Sequence, residues 1–136
     1  MSDPLAESRP AERLASEPIA WLTTAGADGQ PQSSPVWFHW DGSAFWLRTQ
    51  AAARKVTNIR ANPKVALHLG DDGNGGDIVT VEGTAELRDG WSDDVGIRLG
   101  AVEQPMLVRD LRCDTLREVE ILLGLRFGRR PLERAP

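Results

Sequence analysis

The chain holds one cysteine, no tyrosine, two histidines and only two lysines in 136 residues. The lone thiol, Cys113, excludes an intrachain disulfide and a thiolate metal cluster. His39 and His68 fall in β-patterned stretches with no acids or thiols spaced to converge on them. A zinc centre, which needs four ligands, is therefore not expected. Each histidine reads as a side chain satisfied by packing and hydrogen bonds. An excess of positive charge is missing too. Sixteen basic residues face twenty acidic ones, for a net charge of −4, which argues against a nucleic-acid partner. No apolar run approaches the length that spans a bilayer, so no membrane partner is expected. The opening Met1-Ser2-Asp3-Pro4 lacks the apolar segment of a secretory signal, and a cytoplasmic location is expected. Nucleophile-elbow, Walker and Rossmann glycine motifs are all absent.

What remains is an ordinary globular balance, 40% hydrophobic and 26% charged, long enough for one domain spanning residues 1–136. Pro10 suits the first turn of a short helix running to about Ser16, anchored by Leu14. Strands are expected over residues 19–25, 32–40, 44–49, 64–69 and 79–87, set off by Gly26-Ala27-Asp28-Gly29 and by the hairpin signal Asp41-Gly42. A helix over about 52–61 puts Ala52, Val56 and Ile59 on one stripe and ends at Asn62-Pro63. Short consecutive strands with tight turns point to an antiparallel barrel or sandwich. Gly70 to Asp77, rich in glycine and acids, reads as a flexible hairpin loop, with calcium binding a weak alternative because the EF-hand spacing is missing. In the second strand Val36, Phe38 and Trp40 alternate with Trp37 and His39. Both faces then carry large groups, and one must meet a second copy of the chain or a planar ligand.

The basic residues are most telling between positions 48 and 60. Arg48 and Thr49 close the third strand, and Arg54 and Lys55 open the helix that follows. Cationic side chains at a helix start, where free backbone N–H groups point outward, make a phosphate site. Arg supplies a fork, Lys a point charge and Thr a hydroxyl.

Taken jointly, several segments resemble the pyridoxamine-phosphate-oxidase-like split β-barrel superfamily. They are Thr24-x-x-x-x-Gly29-x-Pro31-x-Ser33-Ser34-Pro35-Val36-Trp37-Phe38, Asp41-Gly42, Arg54-Lys55-Val56-x-Asn58-Ile59-x-x-Asn62-Pro63-x-Val65-Ala66-Leu67, and Gly76-Asp77-x-Val79-x-Val81-Glu82-Gly83-Thr84-Ala85. Within that superfamily the actinobacterial branch using coenzyme F420 is the best match, over roughly residues 10 to 88. The resemblance implies a mainly β fold, a six-stranded antiparallel split β-barrel (FMN-binding split barrel) with short flanking helices. It also implies a homodimer with two cofactor sites at its interface.

Carried onto this sequence, the resemblance puts the cofactor phosphate on Arg48, Thr49, Arg54 and Lys55, and Ser34, Pro35, Val36 and Trp37 along the ring. Asn58 would support the helix start or the cofactor, and Gly76 and Asp77 would close the pocket from the partner subunit. The implied activity is an F420H2-dependent reductase passing hydride to an electron-poor double bond of a small-molecule substrate. The alternatives are an FMN-binding oxidase or reductase, or a non-enzymatic flavin- or haem-type binding protein. Residues 89–136 do not align with the family pattern. Val119, Ile121, Leu123, Leu125 and Phe127 alternate as in a closing strand, while Leu116, Val119, Leu122 and Leu123 also suit a helix, and periodicity leaves both open.

Overall fold

The structure, a computed structural model, describes residues 8–74, 76–91, 93–100 and 104–116. Six antiparallel strands close a barrel in the order β1-β2-β3-β6-β5-β4. They are β1 (Ile19–Ala25), β2 (Pro31–Trp40), β3 (Phe45–Thr49), β4 (Lys64–His68), β5 (Ile78–Leu87) and β6 (Gln104–Leu116). Three helices flank them: α1 (Ser8–Ser16), α2 (Arg54–Ala61) and α3 (Asp93–Leu99). Among the described residues no helix is long and apolar enough to cross a membrane.

Period-two alternation fills the barrel. Leu22, Val36, Phe38, Phe45, Leu47, Leu67, Val79, Val81, Met106 and Val108 point inward and are buried. Each large apolar side chain removed from water contributes about 1.5–3 kcal/mol. Val56 and Ile59 of α2 join this core. Ala52 does not: the helix starts only at Arg54, and Ala52 is exposed in the turn before it.

The segment after Asp89, unassigned from sequence, supplies α3 and β6, which completes the barrel between β3 and β5. β6 carries a β-bulge. Thr84 pairs with Arg109 and Glu82 with Arg112, so Gly83 faces two residues. A Cβ at Gly83 would lie 2.9 Å from the Arg109 carbonyl oxygen and the Leu111 and Val108 side chains, and the extra residue Asp110 takes φ of 58°. The alternating tail from Val119 to Phe127 lies outside the described residues.

The loop between β4 and β5 is well held. The Asp72 carboxylate accepts hydrogen bonds from the amides of Asn74 (2.8 Å) and Gly76 (3.0 Å). Those amides hold its pKa below the usual carboxylate value. Arg13, only 5% exposed, donates to the carbonyls of Gly70 and Asp77 and pairs with Glu17, tying α1 to both ends of that loop.

At the β2–β3 hairpin, Asp41 Oδ1 accepts from the Ser43 amide (2.8 Å), the Ser43 hydroxyl (3.1 Å) and the Ala44 amide (2.8 Å). Its Oδ2 accepts from the Trp46 indole N–H at 2.9 Å. Partial burial works to raise the Asp41 pKa, but these donors together hold it below the ordinary carboxylate value. A depressed folded-state pKa gives stability that is present above the unfolded-state value and lost as pH falls through the folded one. Asp41→Ala should therefore cost about 1–2 kcal/mol at neutral pH, and the difference from wild type should shrink in acid. Urea unfolding at neutral and acid pH checks both statements.

Candidate functional site

The candidate site grows from where β3 ends and α2 begins. Ala53, the N-cap of α2, has extended φ and ψ and gives no side-chain cap. The amides of Arg54 and Lys55 are thus among the first-turn donors that a helix cannot satisfy itself. Arg54 is exposed and Lys55 half-buried. No ion pair among the described residues involves Arg48, Arg54, Lys55 or Arg60. In a chain of net charge −4, an unneutralised cation group at an uncapped helix start is built for an anion.

What sets α2 in place is a buried polar link. Asn58, 7% exposed, donates from Nδ2 to Thr24 Oγ1 at 3.0 Å. Gly26 leaves room for it, since a Cβ there would sit 2.7 Å from Asn58 Oδ1. Asn58 thus supports the helix from beneath.

The outer face of the barrel continues from the cation group in rows set by strand register. Arg48 on β3 pairs with Trp37 on β2, and Trp37 with Ile19 on β1. In the next row Pro35 pairs with Trp21, Trp21 with His68 on β4, and His68 with Thr80 on β5. Trp37 is 53% and Trp21 40% exposed, while Val36 and Phe38 face the core. The Trp37 face is therefore the outward one, an apolar strip edged by Arg48. Beyond it, the following two rows line a groove of about 550 Å³ whose walls include Thr23, Lys64, Glu82, Thr84 and Arg112.

Strand register puts Arg48, Trp37 and Pro35 on the outer face of the barrel, with Ser34 half-buried between Ser33 and Pro35, while Arg54 and Lys55 open α2, which follows β3 in the chain. Val36 turns its side chain inward, leaving only its backbone for a ligand. Thr49 is also buried and donates its hydroxyl to the Gln104 carbonyl at 2.7 Å. Asp77 is engaged within its own chain. Its carboxylate takes Arg9 Nη2 at 2.7 Å and Nε at 3.0 Å, and it adopts φ of 60°. Gly76 is buried beside it.

His68, expected to be a strand histidine satisfied by packing and hydrogen bonds, is stacked on Trp21 with centroids 6.3 Å apart and an interplanar angle of 8°, and its Nδ1 lies 2.9 Å from the Leu69 carbonyl oxygen. It lies on the outer face, because Val65, Leu67 and Leu69 alternate with it and are buried. Among the described residues, no group of three or more His, Cys, Asp or Glu is placed to hold a metal.

A closed six-stranded antiparallel barrel with a helix between β3 and β4 is the split-barrel fold. Residues 8–108 match the pyridoxamine 5'-phosphate oxidase family, and the chain belongs to it. Solved structures agree on the fold. The haem storage protein HutZ from Vibrio cholerae superposes with TM-score 0.63 at 18% identity, covering 77% of this chain and 92% of that one. General Stress Protein 26 from Bacillus anthracis gives 0.64 at 17%, covering 81% and 92%. An F420 reductase gives TM-score 0.55 at 27% identity, covering 72% and 90%. No curated protein sequence matches the chain.

If this cluster holds a phosphate, Lys55→Ala should weaken its binding by about 1.5–3 kcal/mol, the range for hydrogen bonds to charged groups. The apo melting temperature should stay close to wild type, because Lys55 makes no ion pair that the fold relies on. Calorimetric titration with a phosphate-bearing flavin, beside thermal melts, measures both.

Proposed function

We propose that the protein is an F420H2-dependent reductase that passes hydride to an electron-poor double bond of a small organic molecule. The observation that carries this reading is the unpaired cation group at the uncapped start of α2, with further cations continuing past it. Arg60 lies six residues, about 9 Å, further along α2, and Lys64 opens β4. F420 bears a phosphate followed by an acidic oligoglutamyl tail, so it would use both the cluster and its continuation. The 27% identity to an F420 reductase supports the same choice.

In this reading Arg48, Arg54 and Lys55 would hold the phosphate, with the free first-turn amides of α2 adding donors. Pro35, Trp37 and the backbone of Ser34 and Val36 would lie along the ring. Asn58 would act through α2, fixing where that helix begins. When bound, the reduced deazaflavin supplies hydride. The chain's own work is to orient the ring on the apolar strip and to keep water from it.

The second reading is an FMN-dependent oxidase or reductase, favoured by family membership. FMN has the phosphate but no acidic tail. Deazaflavin and flavin fluorescence titrations separate the two. F420 is expected to bind at least tenfold tighter than FMN, a gap of about 1.4 kcal/mol. Equal or tighter FMN binding would transfer the assignment to the second reading.

The same reading makes the protein a homodimer, since Trp37 and Trp21 lie on one exposed apolar strip that costs free energy in water. Light scattering on the apo protein at micromolar concentration should give about twice the 14.9 kDa of one chain. Trp37→Glu should shift it toward the single-chain mass.

A further inference from the structure

The groove on the outer face has charged walls of both signs and a floor of short side chains. Ala25 on β1, Ala66 on β4 and Gly83 on β5 leave the depression of about 550 Å³, a volume in the range of small-molecule sites. Lys64 and Arg112 line it with positive charge, Glu82 and Asp110 with negative charge.

Strand register sorts these four charges. Glu82 and Arg112 are cross-strand neighbours of opposite sign, so they offset each other. Lys64 on β4 pairs with Thr84 on β5, and Thr84 with Arg109 on β6. Asp110, the extra residue of the bulge, follows Arg109 directly and lines the same groove. Lys64 and Asp110 thus flank Thr84 from either side, two strand spacings or roughly 9–10 Å apart at the backbone. Arg109 is taken by Glu86 at 2.7 Å, but neither Lys64 nor Asp110 makes an ion pair among the described residues. Thr84, half-buried between them, offers a hydroxyl. A simple anion in this groove would meet Asp110 and Glu82, and a simple cation would meet Lys64 and Arg112. A ligand with one charge of each sign complements both ends.

We propose that the groove binds a small zwitterion of dipeptide size, with a primary ammonium at one end and a carboxylate at the other. The carboxylate lies on Lys64 and the ammonium on Asp110. An extended two-residue chain spans about 7 Å, and the two charged side chains reach across the remainder. The Thr84 hydroxyl hydrogen-bonds the peptide group midway. The site is built on β1, β4, β5 and β6 and needs no cofactor, so it stands or falls separately from the reductase reading. Lys64 is also one of the cations assigned to the acidic tail, and the cofactor-free protein is therefore the one to test.

Three probes are titrated at neutral pH into isotope-labelled protein and followed by amide NMR. They are glycylglycine, N-acetylglycylglycine, which lacks the ammonium, and glycylglycinamide, which lacks the carboxylate. Glycylglycine should shift the Ala66, Gly83 and Thr84 amides and saturate. Each single-ended analogue should bind at least tenfold more weakly. Asp110→Asn keeps a residue type that tolerates positive φ, and Lys64→Gln changes only an exposed side chain. Asp110→Asn should bind glycylglycine and N-acetylglycylglycine alike, and Lys64→Gln should bind glycylglycine and glycylglycinamide alike. Wild type that does not saturate, or that treats the three probes alike, overturns the site. So does a folded variant that keeps the wild-type preference, and the same spectra report whether each variant is folded. If a variant misfolds, the probe series on wild type alone decides.

Discussion

One buried hydrogen bond decides where α2 begins. Asn58 reaches Thr24 beneath α2 at 3.0 Å, in a niche kept open by Gly26. An amide buried without a partner costs on the order of 1–3 kcal/mol, so the bond restricts the helix to orientations that satisfy it. Apolar packing of Val56 and Ile59 would hold α2 against the barrel, but packing alone is tolerant of sliding. The polar link is not. Because Arg54 and Lys55 are one turn N-terminal of Asn58, fixing Asn58 against β1 fixes the start of α2 as well.

From that point the outer face follows by register. Antiparallel pairing places Trp37 next to Arg48 and Trp21 next to His68, so the neighbours on the outer face are set by the same ladder that builds the core. The barrel therefore does two jobs with one alternation, apolar residues inward and the binding strip outward. Little of this face is spent on ion pairs. Carboxylates elsewhere are engaged, as in the Arg9–Asp77 and Arg109–Glu86 pairs, while the cations near α2 stay unneutralised.

Much of this was legible in the residues. β1 through β5 fall within two residues of the expected bounds because turn residues punctuate them and their alternation is unbroken. The helix expected from about residue 52 is α2, which opens two residues later, at Arg54. β6 was not legible, and the reason is physical. Met106 and Val108 are spaced by two, but the next core-packed residue is Leu111, three further on. The bulge breaks the period on which a strand is recognised. Thr49 and Asp77 already have partners within the chain, and tertiary contacts of that kind leave no trace in spacing.

The bulge on β6 also reverses the parity of everything after it. Before Asp110 the even-numbered residues Met106 and Val108 face inward; afterwards Leu111 packs against the core and Arg112 lines the groove. Had the same sequence run on as a regular strand, with no bulge to take up Asp110, Leu111 would stand at the groove wall and the Arg112 guanidinium would point into the barrel, where an unpaired charge is prohibitive. The bulge, accommodated by the missing side chain of Gly83, thus determines whether that groove is greasy or polar, and so what manner of molecule it will admit.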